Sequence, residues 1–112
     1  MIDGNIVTSI IKNLFISYNN KNDDFFNIWQ EYSKLTYNNI TYTGDDIKKF
    51  FLNLNCTINV NHFDYHIIGD RRANILLSGQ LIEHNKSLSM YILLALDNNK
   101  KYWIHSTIVQ IF

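Results

Sequence analysis

Apolar residues recur at three- and four-residue spacing over Asn5–Tyr18, where Ile6, Ile10, Ile11, Leu14 and Phe15 mark one face of an amphipathic helix. Asn19-Asn20-Lys21-Asn22 interrupts that pattern, and Asp23 or Asp24 is placed to cap a second short helix carrying Phe25, Phe26, Ile28, Trp29 and Tyr32. The period then changes to two. Leu35 and Tyr37 share a face, Asn38-Asn39 turns the chain, and Ile40 and Tyr42 continue as a second strand. Gly44 breaks the strand, Asp45 is placed as an N-cap, and Ile47, Phe50, Phe51 and Leu54 form a third helical stripe.

The second half of the chain predicts four strands, at Thr57–Ile68, Ala73–Glu83, Leu88–Leu96 and Tyr102–Phe112, separated by loop-like Gly-Asp-Arg-Arg, His-Asn-Lys-Ser and Asp-Asn-Asn-Lys-Lys. Three helices followed by a long antiparallel meander give an α+β layout, with the helices on one face of a curved sheet. A sheet covered on one side only should alternate apolar and polar residues, and this one does not. Met90, Ile92, Leu94 and Leu96 oppose Tyr91, Leu93 and Ala95. Ile75, Leu77 and Leu81 oppose Leu76 and Ile82, and strict alternation sets Trp103, Val109 and Ile111 against Tyr102, Ile104 and Ile108. Both faces therefore need cover, and three short helices reach only one. Either a protein partner lies on the second face, or the sheet coils enough to bury both.

Composition narrows the classes. The chain has 112 residues, which sets the expectation of a single domain over 1–112. Ten basic and ten acidic residues cancel, so no general field draws the chain to phosphate backbones or anionic lipid. The local basic pairs Lys48–Lys49, Arg71–Arg72 and Lys100–Lys101 read as solvated faces or loop tips. The one cysteine, Cys56, excludes an internal disulfide and a cysteine-rich metal site. The N-terminal MIDGNIVTSIIKNLF has no basic leader region and is expected to be a mature helix. No apolar run has the length of a membrane span. Proline is absent, and the Asn/Ile/Lys bias points to an AT-rich genome.

The acid–base candidates are His62, Asp64, His66, Asp70, Glu83, His84 and His105. Asp64 and His66 lie two apart on one strand and so share a face. They suit either an acid–base pair in a cone-shaped pocket or a polar pair at an interface. His62-x-Asp64-x-His66 lacks a fourth metal ligand, and no glycine-rich phosphate loop exists, so neither metal nor cofactor is expected. Cys56 reads as a small filler between helix and strand. The aromatic residues, at helical and strand spacing, read as core rather than as base-stacking platforms.

The segment Ser33-Lys34-Leu35-Thr36-Tyr37-Asn38-Asn39-Ile40-Thr41-Tyr42-Thr43-Gly44, followed by Ile47, Phe50 and Leu54 on a helix, resembles the hairpin–Gly–helix block of the nuclear transport factor 2 (NTF2) family. Asp64-Tyr65-His66 stands where that family usually has Asp-x-Gln. Leu77-Ser78-Gly79-Gln80-Leu81 is similar to its strand with a central glycine. Leu88–Leu94 is similar to its Phe-x-Gln-x-Phe-x-Leu strand, with aliphatics in place of both aromatics, and Tyr102–Gln110 is similar to its closing strand. The resemblance covers nearly the whole chain. It implies an NTF2-like cone, three N-terminal helices packed on a strongly bent antiparallel sheet whose outer face makes a dimer. That face would carry the partner-binding residues His66, Leu76, Ser78, Tyr91, Leu93, Ile108 and Gln110, with no catalytic residue.

Within the resemblance, three branches differ in function. The homodimeric carrier of Ran-GDP uses carboxylates at positions matched here by Asn38, His84 and Lys86, so the charge complementarity of that site is missing. An isomerase or dehydratase of this fold would need an acid or base at depth, from Asp64 and His66 or from His105. The small subunit of the messenger-RNA export receptor (the p15 or Mtr2 type) keeps the cone without Ran binding, and Asn38-Asn39 and the apolar outer face suit it best. Its closing-strand arginine is Gln110 here. This branch implies a large receptor subunit with its own NTF2-like domain as partner. It also implies phenylalanine-glycine repeats of pore proteins bound through the heterodimer, RNA contacted mainly by the partner, no membrane association, and shuttling between nucleus and cytoplasm.

Overall fold

Asp3 starts the first helix by accepting a hydrogen bond from the Ile6 amide at 2.9 Å, and α1 runs from Gly4 to Asn19 in the computed structural model, which describes residues Met1 to Phe112. Its inward stripe buries Val7, Ile11, Leu14 and Phe15. At the far end the Asn19 side chain imitates a neighbouring strand: its amide donates to the Ile58 carbonyl at 2.8 Å, and its oxygen accepts from the Ile58 amide at 2.9 Å. One side chain thus fastens the end of the helix to the first strand of the meander.

The second predicted helix is shorter than its apolar spacing implies. Asn22, rather than Asp23 or Asp24, caps a single 3₁₀ segment, Asp23–Ile28, by accepting from the Asp24 amide. The chain is extended from Trp29 onward, so Trp29 and Tyr32 belong to β1 (Trp29–Tyr37). The physical reason is sheet pairing. Ser33 is buried and its hydroxyl donates to the Ile104 carbonyl while accepting from the Gln30 amide, which holds this stretch against the closing strand. Asn38 and Asn39, at φ 51° and 66°, make the tight turn into β2 (Ile40–Thr43). Gly44, at φ 55°, takes the cap position assigned to Asp45. Asp45 and Asp46 instead occupy the first turn of α2 (Asp45–Leu54), where carboxylates favour the helix dipole. Asn55 ends the helix in the left-handed conformation, and His84 donates to the Leu54 carbonyl at 2.8 Å.

Four long strands follow: β3 (Ile58–Ile68), β4 (Arg72–Leu81), β5 (Lys86–Leu96) and β6 (Tyr102–Ile111). The sheet order is β2-β1-β6-β5-β4-β3. The meander is antiparallel as expected, but β1 joins β6 in parallel, which the expectation of a wholly antiparallel sheet did not include. That pairing brings the start of the chain to its end, and the hairpin becomes the far wall of the sheet.

Two irregularities bend the meander, apart from the break in the β1–β6 pairing between Trp29 and Lys34. One falls between Val60 and His62 in β3; the other places His105 as an extra residue of β6 between the Leu93–Ser106 and Leu94–Ile104 pairs. Opposite the first bend sits Gly79, where any Cβ would collide with the Asn59 carbonyl oxygen. The bend at His105 also overturns strict alternation in β6. Ile104, Thr107 and Val109 face the helices and are buried, while Trp103 and Ile108 stand on the opposite side.

Inside the curve, Phe25 and Phe51 are the hub. Their rings lie 4.8 Å apart, and Phe25 also meets Tyr18 at 5.0 Å, Phe26 at 5.0 Å and Trp29 at 6.1 Å. Edge-to-face and tilted pairs of this kind add to the burial term. Replacing Phe51 by alanine should lower stability by about 3–5 kcal/mol, and the exposed neighbour Leu52, changed in the same way, should cost less than about 0.5 kcal/mol. Urea unfolding followed by tryptophan fluorescence measures both.

Candidate functional site

The strand registers place all seven residues expected on the outer face together, in three adjacent rows. The middle row crosses the whole sheet as Asp64, Leu76, Tyr91, Ile108, Thr36 and Thr41. One flank runs His66, Asn74, Leu93, Ser106, Lys34 and Thr43; the other runs His62, Ser78, Ser89 and Gln110. In the middle row Leu76 is 57% exposed, Tyr91 36% and Ile108 49%. The curl of the sheet therefore does not bury its second face. With strands ~4.8 Å apart and ~3.3 Å per residue, five strands of 9 to 11 residues and the 4-residue β2 present on the order of 900 Å² per face, comparable to the ~800 Å² each partner contributes to a standard interface.

Asp64 and His66 share this outer face and point away from the cone. The hydrogen bond that forms is between His62 Nε2 and Asp64 Oδ2, at 3.2 Å and open to solvent. His105 occupies the bulge on the same face, its ring 5.5 Å from that of Trp103. The remaining acid–base candidates sit in turns. Asp70 lends its backbone carbonyl to the Ile2 amide, Glu83 accepts from the Thr57 amide at 2.7 Å and hydroxyl at 3.0 Å, and His84 caps α2. No group of three His, Cys, Asp or Glu side chains is arranged to hold a metal ion.

Aromatic rings pack the centre of the cone. Tyr18, Phe25, Phe26, Trp29, Phe50 and Phe51 interlock, and Tyr37 and Tyr42 close on Phe50 at 5.4 Å each. The buried polar side chains are Ser33 and Thr107, each donating to a backbone carbonyl, of Ile104 and Tyr91 respectively. Trp29 Nε1 is buried without a partner. At the rim a cleft of about 330 Å³ runs among Tyr18, Phe26, Leu52, Cys56 and Glu83. Burial pushes the Tyr18 hydroxyl up to about 12, helped by the nearby Cys56 and Glu83 charges, and it donates to the Phe51 carbonyl at 3.0 Å. Burial likewise raises the Cys56 thiol, with Glu83 adding to it, which keeps it protonated and a poor nucleophile. The Thr57 amide holds Glu83 below the ordinary carboxylate range.

Sequence reasoning missed one part of the outer face. Arg71, Arg72, Leu93, Ala95, Trp103 and His105 line a cleft of about 300 Å³ at the end of the sheet. Alternation had sent Trp103 to the inner side. The run Trp103-Ile104-His105-Ser106-Thr107, two apolar residues and then three polar ones, breaks the period and was the available sign of the bulge.

No protein-family model matches the chain, and no curated protein matches it in sequence. Solved structures do match its shape. Nuclear transport factor 2 from Cryptosporidium parvum superposes with a TM-score of 0.78 at 12% identity, over 94% of this chain and 90% of that one. The yeast complex of the deubiquitinase Ubp3 with its cofactor Bre5 matches with a TM-score of 0.72 at 15% identity, over 96% and 95%. A hexachlorocyclohexane dehydrochlorinase from Novosphingobium barchaimii matches with a TM-score of 0.66 at 12% identity, over 94% and 83%. The chain has the NTF2-like fold, helices packed on a six-stranded curved sheet. That fold serves both binding proteins and enzymes.

Tyr18 gives the rim a measurable signature. Its hydroxyl is held near 12 in the folded chain against 10 when free, so its contribution is intact below pH 10 and is lost as pH rises toward 12. Thermal unfolding of the wild type and of Tyr18→Phe at pH 8 and at pH 11 should show the stability advantage of tyrosine shrinking at the higher pH. An unchanged difference would remove the buried-hydroxyl account.

Proposed function

We propose that this NTF2-fold chain is a non-enzymatic nuclear transport adaptor that pairs its outer sheet face with the NTF2-like domain of a large messenger-RNA export receptor subunit. The observation that carries the reading is the exposed row Leu76–Tyr91–Ile108, set at the centre of a face of interface size. The packed cone supports it from the other side. Aromatic rings pack the centre of the cone, and the candidate acids and bases His62, Asp64, His66, Asp70, Glu83, His84 and His105 stand on the outer face or in turns. The comparisons agree with a binding role to the extent that the yeast structure is a complex of an NTF2-fold cofactor with another protein.

The division of labour in such a pair is physical. Covering the row removes apolar surface from water on both chains, which stabilises the partner's fold as well as this one. Phenylalanine-glycine repeats of the pore would bind to the heterodimer. RNA contact falls mainly to the large subunit, because ten basic and ten acidic residues leave this chain without a net field. The pair would move between nucleus and cytoplasm. The Ran-GDP carrier reading requires carboxylates, and Asn38, His84 and Lys86 stand at the matching positions.

A pull-down with purified Ran-GDP and with a recombinant large receptor subunit tests the proposal. Binding of the large subunit and none of Ran-GDP is expected; micromolar Ran-GDP binding by a stable homodimer would replace this reading with the import carrier. Ile108→Glu should leave the unfolding midpoint nearly unchanged, since the side chain is exposed, and should weaken the large-subunit complex more than about tenfold. Titration calorimetry measures the loss.

A further inference from the structure

The charges on the outer face are unevenly balanced, and their arrangement bears on which sheet can cover it. Lys34 lies in the flanking row with His66, Leu93 and Ser106, and Arg72 lies in the next row toward the end, with Ile68, Ala95 and Trp103. Asp64 is the carboxylate among these rows, and His62 already engages it at 3.2 Å. Asp97 lines the cleft as well, and it closes its own turn: its Oδ1 accepts from the Asn99 amide at 2.8 Å and from the Lys101 amide at 2.9 Å, and it makes no ion pair with Arg71 or Arg72. Arg71 donates to the Asn98 side-chain oxygen at 2.6 Å. The ion pairs of the chain are Lys49–Asp46 and His62–Asp64, so Lys34 and Arg72 face solvent with no carboxylate of their own.

A guanidinium without an internal partner, beside an indole and an imidazole at the mouth of a cleft, suits the planar fork of an incoming carboxylate. A second copy of this chain cannot supply one there readily. In a two-fold pair each copy presents the same patch, so Lys34, Arg71 and Arg72 of both enter one interface, and the carboxylates that come with them are Asp64, engaged by His62, and Asp97, engaged by its own turn. Cations sealed under apolar surface without a free carboxylate to meet them raise the energy of the wrong pairing and so act as a selector.

We propose that the Arg71–Arg72–Trp103–His105 cleft, together with Lys34, is the specificity element of the sheet face: it accepts carboxylates from a different, acidic sheet and turns away a second copy of the chain. This deepens the adaptor proposal and rests on it for the position of the interface. The apolar row makes association favourable; the cations decide with whom.

The test uses the chain itself as the acidic probe. A copy carrying Lys34→Glu and Arg72→Glu presents the same sheet with the charge reversed, and both positions are exposed, so circular dichroism should match the wild type. In sedimentation equilibrium at about 50 mM salt, mixing this copy with the wild type should give a one-to-one dimer at least about tenfold tighter than either forms alone, weakened again at about 0.5 M salt. A wild-type dimer as tight as the mixed one, or a mixture that associates no better than its parts, overturns the proposal. If the reversed copy does not fold, the pair Lys34→Ala and Arg72→Ala answers instead. Self-association about tenfold tighter than wild type is expected, and no change overturns the proposal. The outcome separates from the function above. A mixed dimer formed by a chain that ignores the receptor subunit keeps the selector and discards the export role. Receptor binding indifferent to Lys34→Glu and Arg72→Glu keeps the role and discards the selector.

Discussion

Two helices and a 3₁₀ segment can cover one side of a six-stranded sheet, and everything else in this molecule follows from which side they take. Phe51 from α2 and Phe25 from the 3₁₀ segment meet at 4.8 Å inside the curve, and the sheet wraps them with Ile75, Leu77, Met90, Ile92 and Leu94. Burial of that set is the largest favourable contribution available to a chain of this length. It uses all the helical cover there is. The outer row is left to solvent in the single chain because no element remains to reach it.

The same closure moves chemistry outward. The depth of the cone holds interlocked rings and the buried hydroxyls of Ser33 and Thr107, which serve the backbone. His62, Asp64 and His66 lie on even-numbered positions of β3, which the bend at Asn61 directs outward with Ser78, Leu76 and Asn74. Gly79 makes that bend tolerable, since only the absence of a side chain lets the Asn59 carbonyl come so near. A methyl group at 79 would push β3 from β4 and disturb the inner core and the outer rows together.

Much of this was legible in the residue pattern, for identifiable reasons. The two-sided apolar character of β4 and β5 follows from strict alternation, and those strands keep an unbroken register from Arg72–Ala95 to Leu81–Lys86. The hairpin was legible because Asn-Asn tolerates positive φ where few residues do. The second helix was not, because Phe25, Phe26, Ile28, Trp29 and Tyr32 satisfy helical spacing while Ser33, whose hydroxyl ties β1 to β6 by donating to the Ile104 carbonyl, carries no apolar signal. Pairing across 71 residues is a tertiary effect that a local period cannot register. Trp103 was misplaced for a related reason: one extra residue at His105 exchanges the faces of every position before it.

That bulge also explains why the selective and the adhesive parts of the outer face are adjacent without being the same. Beyond it, Ile108 and Gln110 continue the rows that include Tyr91 and Ser78, and the side chains there offer area and little direction. Before it, Trp103 and His105 crowd the end of the sheet against Arg71 and Arg72 and open a cleft. Apolar area alone would accept any sheet of similar curvature, including a second copy, since burial is non-directional. A charged cleft alone would be screened within about 8 Å in physiological salt. Set side by side on one rigid sheet, the first excludes water from the second, and a charge pair shielded from water discriminates far better than the same pair in solvent.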